Sequence, residues 1–155
     1  RECRTIRGMR RAAGYILFLR SPEGLRFLLL RNARHGAWSF PKGHLKDDES
    51  WEAGARRELL EETGNTEIRP LPEFRGELRY TVRARHRPKA KADYEKHLVL
   101  FLAEVEEAGW KRSPEHDDGE WLSAESVRAR LGPRDLQQAF EDALAVLEEA
   151  SPPRL

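Results

Sequence analysis

The stretch of the chain with the clearest chemical potential is residues 43–64, GHLKDDESWEAGARRELLEETG, in which Glu58, Glu61 and Glu62 fall within about one helical turn. Like charges spaced in this way on a helix repel each other by roughly a few tenths of a kcal/mol per pair. Carboxylate oxygens are, however, the ligands that Mg²⁺ and Mn²⁺ prefer. Gly43 allows close approach of its backbone, so its carbonyl can join them. The stretch therefore predicts a divalent metal site.

Two further charged residues flank this carboxylate cluster. Glu49 opens the predicted helix and Arg57 directly precedes Glu58, so an ion pair between them would orient the carboxylates. Metals held at such a site can neutralise phosphate oxygens and lower the pKa of an attacking water, which is the chemistry that pyrophosphate cleavage needs. A solvated, charged helix face would explain RRELLEE alone, but not the spacing of the whole stretch.

That spacing resembles the Nudix box, the signature of a family of pyrophosphate hydrolases. Gly43 is followed after five residues by Glu49, and seven residues later comes Arg57-Glu58-Leu59-x-Glu61-Glu62-x-Gly64, while Asn65 replaces the expected aliphatic residue. The resemblance implies an α/β (α+β) fold, a Nudix α/β/α sandwich with a mixed β-sheet between helices. It also implies that the metal is held by Gly43, Glu58, Glu61 and Glu62, and that catalysis depends on Glu49, Arg57, Glu58, Glu61 and Glu62.

Motifs outside the box are similar to those of the asymmetrical diadenosine tetraphosphate hydrolases. They are PKGH (41–44), ELRY (77–80), PK (88–89) and SPEH (113–116) with a tryptophan five residues on. The resemblance implies that Tyr80 stacks on adenine and that Glu115 is an extra acidic metal ligand. Glu104 is a second candidate ligand, but it lies in a predicted strand. The remaining substrate-binding residues implied are Lys42, His44, Lys89 and His116.

The sequence departs from this second pattern in two places. Gly119 stands where those hydrolases carry a tyrosine, and the loop after Tyr80 is longer than expected. Tyr94, in the inserted segment, is a candidate replacement for the missing ring. The basic loop 83–96 is either solvated or a clamp for polyphosphate.

Helices and strands that would position these residues follow from the apolar patterns. The helix that carries the glutamates is expected at residues 49–62, capped by Asp47 or Asp48 and ended by Gly64. Trp51, Ala55 and Leu59 form its apolar stripe. The other expected elements are strands at 14–20, 25–31, 74–82, 97–105 and 120–122, and helices at 123–131 and 135–149.

Composition limits the classes of protein. The chain of 155 residues has a formal charge of only +1, and no stretch approaches the ~20 apolar residues of a membrane span. The basic start followed by an apolar run lacks a signal-peptide cleavage site, so we expect strands there. A lone Cys3 excludes an internal disulfide and favours a cytoplasmic location. We expect a basic extension at 1–11, a Nudix hydrolase domain at 12–150 and a tail at 151–155.

The expected substrate is a small nucleotide or polyphosphate, and the resemblance favours cleavage of diadenosine tetraphosphate to ATP and AMP with Mg²⁺ or Mn²⁺ as cofactor. The basic loop is also compatible with a diphosphoinositol polyphosphate. Removal of pyrophosphate from RNA 5′ ends is a further enzyme alternative, because the arginine-rich start can follow a phosphate backbone. A Nudix fold without activity, used for binding, is the remaining alternative, although the intact glutamates argue against it.

Overall fold

The strand β1 (Met9–Ser21) lies at the centre of the sheet in a computed structural model, which describes residues 9–83, 93–111 and 113–150. One edge of β1 pairs in parallel with β6 (Tyr94–Val105). Its other edge is shared by two antiparallel partners. β2 (Gly24–Asn32) pairs near the hairpin, and β4 (Lys42–His44) pairs with the earlier part of β1.

The strands β1 and β2 diverge, and this divergence opens the sheet near Lys42 and Gly43 of β4. The two strands pair only at residues 18–21 and 24–27, and β3 (Trp38–Ser39) then takes the freed edge of β2. β7 (His116–Leu122) pairs with the opposite edge of β2, and β5 (Arg69–Val82) pairs with β6. The path through the sheet is therefore β3-β2-β1-β6-β5.

Helices cover both faces of this mixed sheet. On one face α1 (Trp51–Thr63) packs Ala55 and Leu59 against Tyr15 and Leu17 of β1. On the other face, α2 (Ala124–Arg130) and α3 (Arg134–Ala150) pack against the alternate residues of the same strands. Successive strand residues point to opposite faces, so each strand serves both cores. The predicted α/β (α+β) sandwich is confirmed.

The helix α1 begins two residues later than the sequence indicates, and its cap is different. Ser50, not Asp47 or Asp48, is the N-cap, and its hydroxyl accepts a hydrogen bond from the backbone N–H of Ala53 at 3.1 Å. An N-cap side chain must lie directly before the first turn, and the two aspartates are too early for that. The predicted end is confirmed, because Gly64 has φ 77° and donates its N–H to the Leu60 carbonyl.

All five predicted strands are longer than their apolar patterns indicate; β1, for example, spans Met9–Ser21 instead of 14–20. β5 begins at Arg69 and passes through two prolines, with a register shift before Arg75. Proline is tolerated there because β5 is the last strand of the sheet path. β6 already begins at Tyr94, so this residue lies in the sheet rather than in the basic loop, and β7 begins at His116.

Some expectations fall on residues outside the described ranges, namely the basic segment 1–8, Lys89 with most of the loop 83–96, and the tail 151–155. Residues 9–11, which the sequence pattern assigns to the basic extension, are part of β1. Within the described ranges, no helix is both long enough and apolar enough to cross a membrane.

We predict that Ser50→Ala lowers the free energy of unfolding by about 1 kcal/mol, because the N–H of Ala53 loses its partner at the start of α1. Urea unfolding followed by circular dichroism measures this change. The controls Asp47→Ala and Asp48→Ala should each change it by less than about 0.5 kcal/mol. A larger loss in either aspartate variant than in Ser50→Ala would contradict the assignment of the cap.

Candidate active site

The guanidinium group of Arg57 joins α1 to the segment that precedes it. Its Nε and one terminal nitrogen donate to the two carboxylate oxygens of Glu49, at 2.7 and 2.9 Å. The same nitrogen donates to the His44 carbonyl at 3.0 Å. The hydrogen bonds from Arg57 and from the Lys46 N–H lower the pKa of Glu49 to about 2, and the pairing with Glu49 raises the pKa of Arg57. The predicted Glu49–Arg57 pair is present.

The other terminal nitrogen of Arg57 reaches the carboxylate cluster itself. It donates to Glu58 at 3.1 Å and to both oxygens of Glu61 at 3.1 and 3.2 Å. All five N–H bonds of a guanidinium can donate in a fixed plane, which suits a group that must bind three carboxylates at once. Arg57 thus fixes the side of α1 that faces the loop.

Glu58 and Glu62 are largely buried, with exposed fractions of 8% and 5%. Burial, followed by the charge of nearby Glu58, raises the pKa of Glu62 to about 8. Burial also raises the pKa of Glu58, and the charges of Glu61 and Glu115 add to this against the opposing effect of Arg57. Both shifts have one physical cause, the cost of holding neighbouring negative charges away from water. The charge of Glu58 therefore acts on Glu62, as expected for residues one helical turn apart on the same side of α1.

The strand β4 brings the residues before the box against these carboxylates. The N–H of Lys42 donates to Glu62 at 3.0 Å. A Cβ built on Gly43 would lie 2.1 Å from a carboxylate oxygen of Glu58, so only glycine lets the backbone run this close. The pairing of β4 with β1 holds this strand in place.

The segment that carries Glu115 is anchored next to β2. The Glu115 carbonyl accepts the N–H of Ala33 at 2.9 Å, and His116 is hydrogen-bonded to Ser113 through its Nδ1 at 3.1 Å. The Glu115 side chain is exposed, yet its charge acts on both Glu58 and Glu62. Burial lowers the pKa of His116. The fold therefore brings Glu115 to the α1 carboxylates across 53 residues of sequence, counted from Glu62 to Glu115.

The carboxylates of the candidate site are not arranged around one common point at which a metal ion could bind. Within the described ranges, no three His, Cys, Asp or Glu side chains stand close enough together to hold a metal ion. Glu61 is half exposed and turned toward Arg57, and Glu115 is exposed. Mutual repulsion accounts for this arrangement, because each carboxylate is either paired with Arg57, bonded to an N–H or directed into water.

A cleft of about 940 Å³ collects most of the remaining candidates. Its polar end contains Lys42, Gly43, His44 and Glu62, with Glu115 and His116 beside them. The sheet contributes Tyr80, Tyr94 and Lys96. The loop after β2 and the start of α3 complete the lining with Arg34, His35, Trp38 and Arg134, among others.

Lys96 is one of the cleft residues that sequence reasoning missed. It is paired with Tyr80 across β5 and β6, and its ammonium lies 5.9 Å from the centre of the Tyr80 ring. Every second residue of a strand faces the same side of the sheet. If the predicted β6 had begun at Tyr94, this alternation would have placed Lys96 on the same face as Tyr94. Tyr94 also lines the cleft, with the Arg10 guanidinium 4.5 Å from its ring centre.

Two other positions singled out in the sequence, Glu104 and Gly119, do not belong to the lining of the cleft. Glu104 forms ion pairs with Arg20 at 3.2 Å and Arg69 at 3.3 Å and does not line the cleft. At Gly119 a Cβ would meet the Trp110 ring at 2.4 Å, so this position is covered by an aromatic ring from the loop before β7.

The sequence matches a family model. The model described as "NUDIX domain" covers residues 9–142. A curated relative, an RNA pyrophosphohydrolase from Ectopseudomonas mendocina, is 34% identical over 106 residues, which is 62% of this chain and 67% of the relative.

Solved structures share the fold. A Caenorhabditis elegans Ap4A hydrolase in a binary complex has a TM-score of 0.79 at 23% identity and covers 90% of this chain and 98% of its own. The NUDIX domain of Shewanella oneidensis NrtR, complexed with ADP ribose, has a TM-score of 0.67 at 20% identity, with coverage of 95% and 94%. At these identities the structural likeness shows the fold alone.

We predict that, with EDTA present, the protein loses stability as pH rises from about 5 to 8, and that Glu62→Gln weakens this loss. An unperturbed glutamate has a pKa of 4.5 and Glu62 in the fold has one of about 8, so the folded state binds the extra proton in this window. One proton corresponds to about 1.4 kcal/mol per pH unit at the steepest point. Urea unfolding at half-unit pH steps measures the slope.

The matched control for this measurement is Glu52→Gln, an exposed acid in the first turn of the same helix. It should leave the pH slope unchanged. Identical slopes in the wild type and in Glu62→Gln would show that the Glu62 carboxyl titrates normally in the folded protein.

Proposed function

The chain belongs to the Nudix family, and we propose that it is a pyrophosphohydrolase that cleaves diadenosine tetraphosphate to ATP and AMP. The observation that carries the proposal is the composition of the cleft. Tyr80 and Lys96 line the same cleft as Lys42, Glu62 and Glu115. An aromatic ring followed by cations and acids suits a base linked to a chain of phosphates.

The carboxylate donors present suit a divalent cation, Mg²⁺ or Mn²⁺, provided that the exposed side chains of Glu61 and Glu115 rotate toward the buried pair. Glu58, Glu61, Glu62 and Glu115 would hold it, with the Gly43 carbonyl as a further oxygen ligand. The supporting observation is that two of these carboxylates are buried with raised pKa values, and a divalent cation would stabilise their charged forms. Such a cation neutralises charge on phosphate oxygens and lowers the pKa of bound water.

The protein groups around the cation site have distinct roles in this proposal. Arg57 and Glu49 hold α1 against the His44 carbonyl, so that the carboxylates keep one orientation. Lys42, His44, His116 and Lys96 bind phosphate oxygens, and the resemblance adds Lys89. Either Glu58 or Glu115 takes the proton from the attacking water. Tyr80 stacks on the adenine several phosphates away from the bond that breaks.

The test is hydrolysis of diadenosine tetraphosphate in ¹⁸O-labelled water with Mg²⁺ or Mn²⁺, followed by mass spectrometry of the products. We expect ATP and AMP, with the label in one of them only, because a single bound geometry allows one in-line attack. Glu58→Gln should abolish the activity and leave the fold intact, since it removes a charged oxygen. EDTA should do the same to the wild type.

Two results would contradict this proposal. Production of two ADP molecules, or label in both products, would exclude the proposed binding register. Full turnover of the Glu58→Gln variant at saturating Mg²⁺ would exclude the proposed site.

Removal of pyrophosphate from RNA 5′ ends is the second candidate function. The observation that favours it is the 34% identity to the RNA pyrophosphohydrolase named above. Comparison of kcat/KM for 5′-triphosphate RNA and for diadenosine tetraphosphate, measured at the same salt concentration, decides between the two. A preference of more than about tenfold for the RNA, which corresponds to 1.4 kcal/mol, would replace the dinucleotide proposal.

We predict that Tyr80→Ala weakens binding of diadenosine tetraphosphate by about 1–3 kcal/mol, the range for loss of one aromatic–base stack. The variant should bind a diphosphoinositol polyphosphate as the wild type does, because that ligand has no base. Competition binding with both ligands measures the difference. Val82→Ala is a matched control, since Val82 lies two residues along the same strand and does not line the cleft. Equal losses for both ligands would make Tyr80 a structural residue.

A further inference from the structure

Two arginines of the cleft have no acidic partner among the residues that the structure describes. Arg34, in the turn after β2, and Arg134, the first residue of α3, both line the cleft and are exposed. Within the described ranges, neither side chain has a hydrogen bond, ion pair or ring contact. The partly buried Arg31, by contrast, is paired with Asp117 at 2.7 Å.

The backbone holds Arg34 close to the acidic end of the cleft. Ala33, the preceding residue, donates its N–H to the Glu115 carbonyl. The Asn32 side chain accepts the N–H of Arg34 at 2.8 Å and that of His35 at 3.2 Å, which fixes the turn. Arg34 is therefore presented by an ordered turn beside Glu115.

Arg134 is held on a second rigid element. Two residues later Leu136 is buried in the core, and further along α3 Phe140 packs against Phe27 and Phe40. These contacts place the first turn of α3 at the cleft, with Pro133 and Asp135 also in its lining. Two guanidinium groups from separate elements thus face one cavity.

The size of the cleft leaves room for more than one nucleotide. Its volume of about 940 Å³ lies near the upper end of the range of roughly 300–1,000 Å³ found for small-molecule sites. A base on Tyr80 and phosphates at Lys96 and Lys42 occupy the sheet side and the polar end. The positive charges of Arg34 and Arg134 are in addition to these groups and could bind further phosphates of a longer polyphosphate chain.

We propose that Arg34 and Arg134 form a subsite for the phosphates beyond the bond that breaks, which selects substrates with four or more phosphates. Guanidinium groups bind phosphate oxygens with two parallel N–H bonds, and an arginine without an acidic partner gives up no ion pair when it does so. The inference rests on the proposed function only in taking the substrate to be a polyphosphate.

The experiment compares KM and kcat for diadenosine tetraphosphate and adenosine 5′-tetraphosphate in Arg34→Ala, Arg134→Ala and the double variant. We expect KM to rise about three- to tenfold for each single variant, the scale of a solvent-exposed charged contact, with kcat unchanged. The matched control is Arg79→Ala, because Arg79 is also exposed, also lacks a partner among the described residues and lies outside the cleft.

The possible outcomes distinguish failure of the proposed subsite from failure of the proposed function. Equal KM values in the cleft variants and in Arg79→Ala would overturn the subsite. A rise in KM for the dinucleotide alone would overturn it too, since the arginines would then contact the second base. If the wild type cleaves neither nucleotide, calorimetry with inorganic tripolyphosphate and Mg²⁺ replaces kinetics. Weaker binding by the two cleft variants alone then supports the subsite, and equal binding by all variants overturns it.

Discussion

The hydrogen bonds of one guanidinium group determine how the site is arranged. Arg57 binds Glu49, Glu58 and Glu61 on its own helix and in its cap region, and it also binds the His44 carbonyl of β4. Without this group, the neighbouring carboxylates of α1 would repel one another, and the His44 carbonyl would lose this donor. The Arg57 guanidinium binds both α1 and β4. The carboxylates of α1 can therefore lie near one another while the backbone at Gly43 passes close to Glu58.

The sheet supplies the second requirement, an opening in which these groups can meet. β1 and β2 separate after a short hairpin, and the short strands β3 and β4 take the edges that become free. Lys42 and Gly43 therefore lie between α1 and the central strand, and the Glu115 segment approaches along β2. The cleft is the space between diverging strands, and α3 closes part of it from the other face.

Local patterns in the sequence predict the acidic part of the site and the order of the elements. The spacing from Gly43 to Gly64 depends on one helix and its caps, so it is visible without tertiary information. The cap is not predicted correctly from the sequence, because Asp47, Asp48 and Ser50 are all good cap residues and only the packing of α1 decides between them. Lys96, Arg34 and Arg134 could not be predicted as neighbours, since the pairing of β6 with β5 and the packing of α3 bring them together.

The contact between Trp110 and Gly119 has a consequence for how related sequences vary. The Trp110 ring occupies the space in which a side chain at residue 119 would begin, and the loop that carries it is bonded to the end of α1 through the N–H of Lys111 and the Thr63 carbonyl. A larger residue at 119 can be accepted only if the ring at 110 becomes smaller or the loop moves off the helix. Side-chain volumes at these two positions should therefore covary inversely among homologues that keep this loop bonded to the helix.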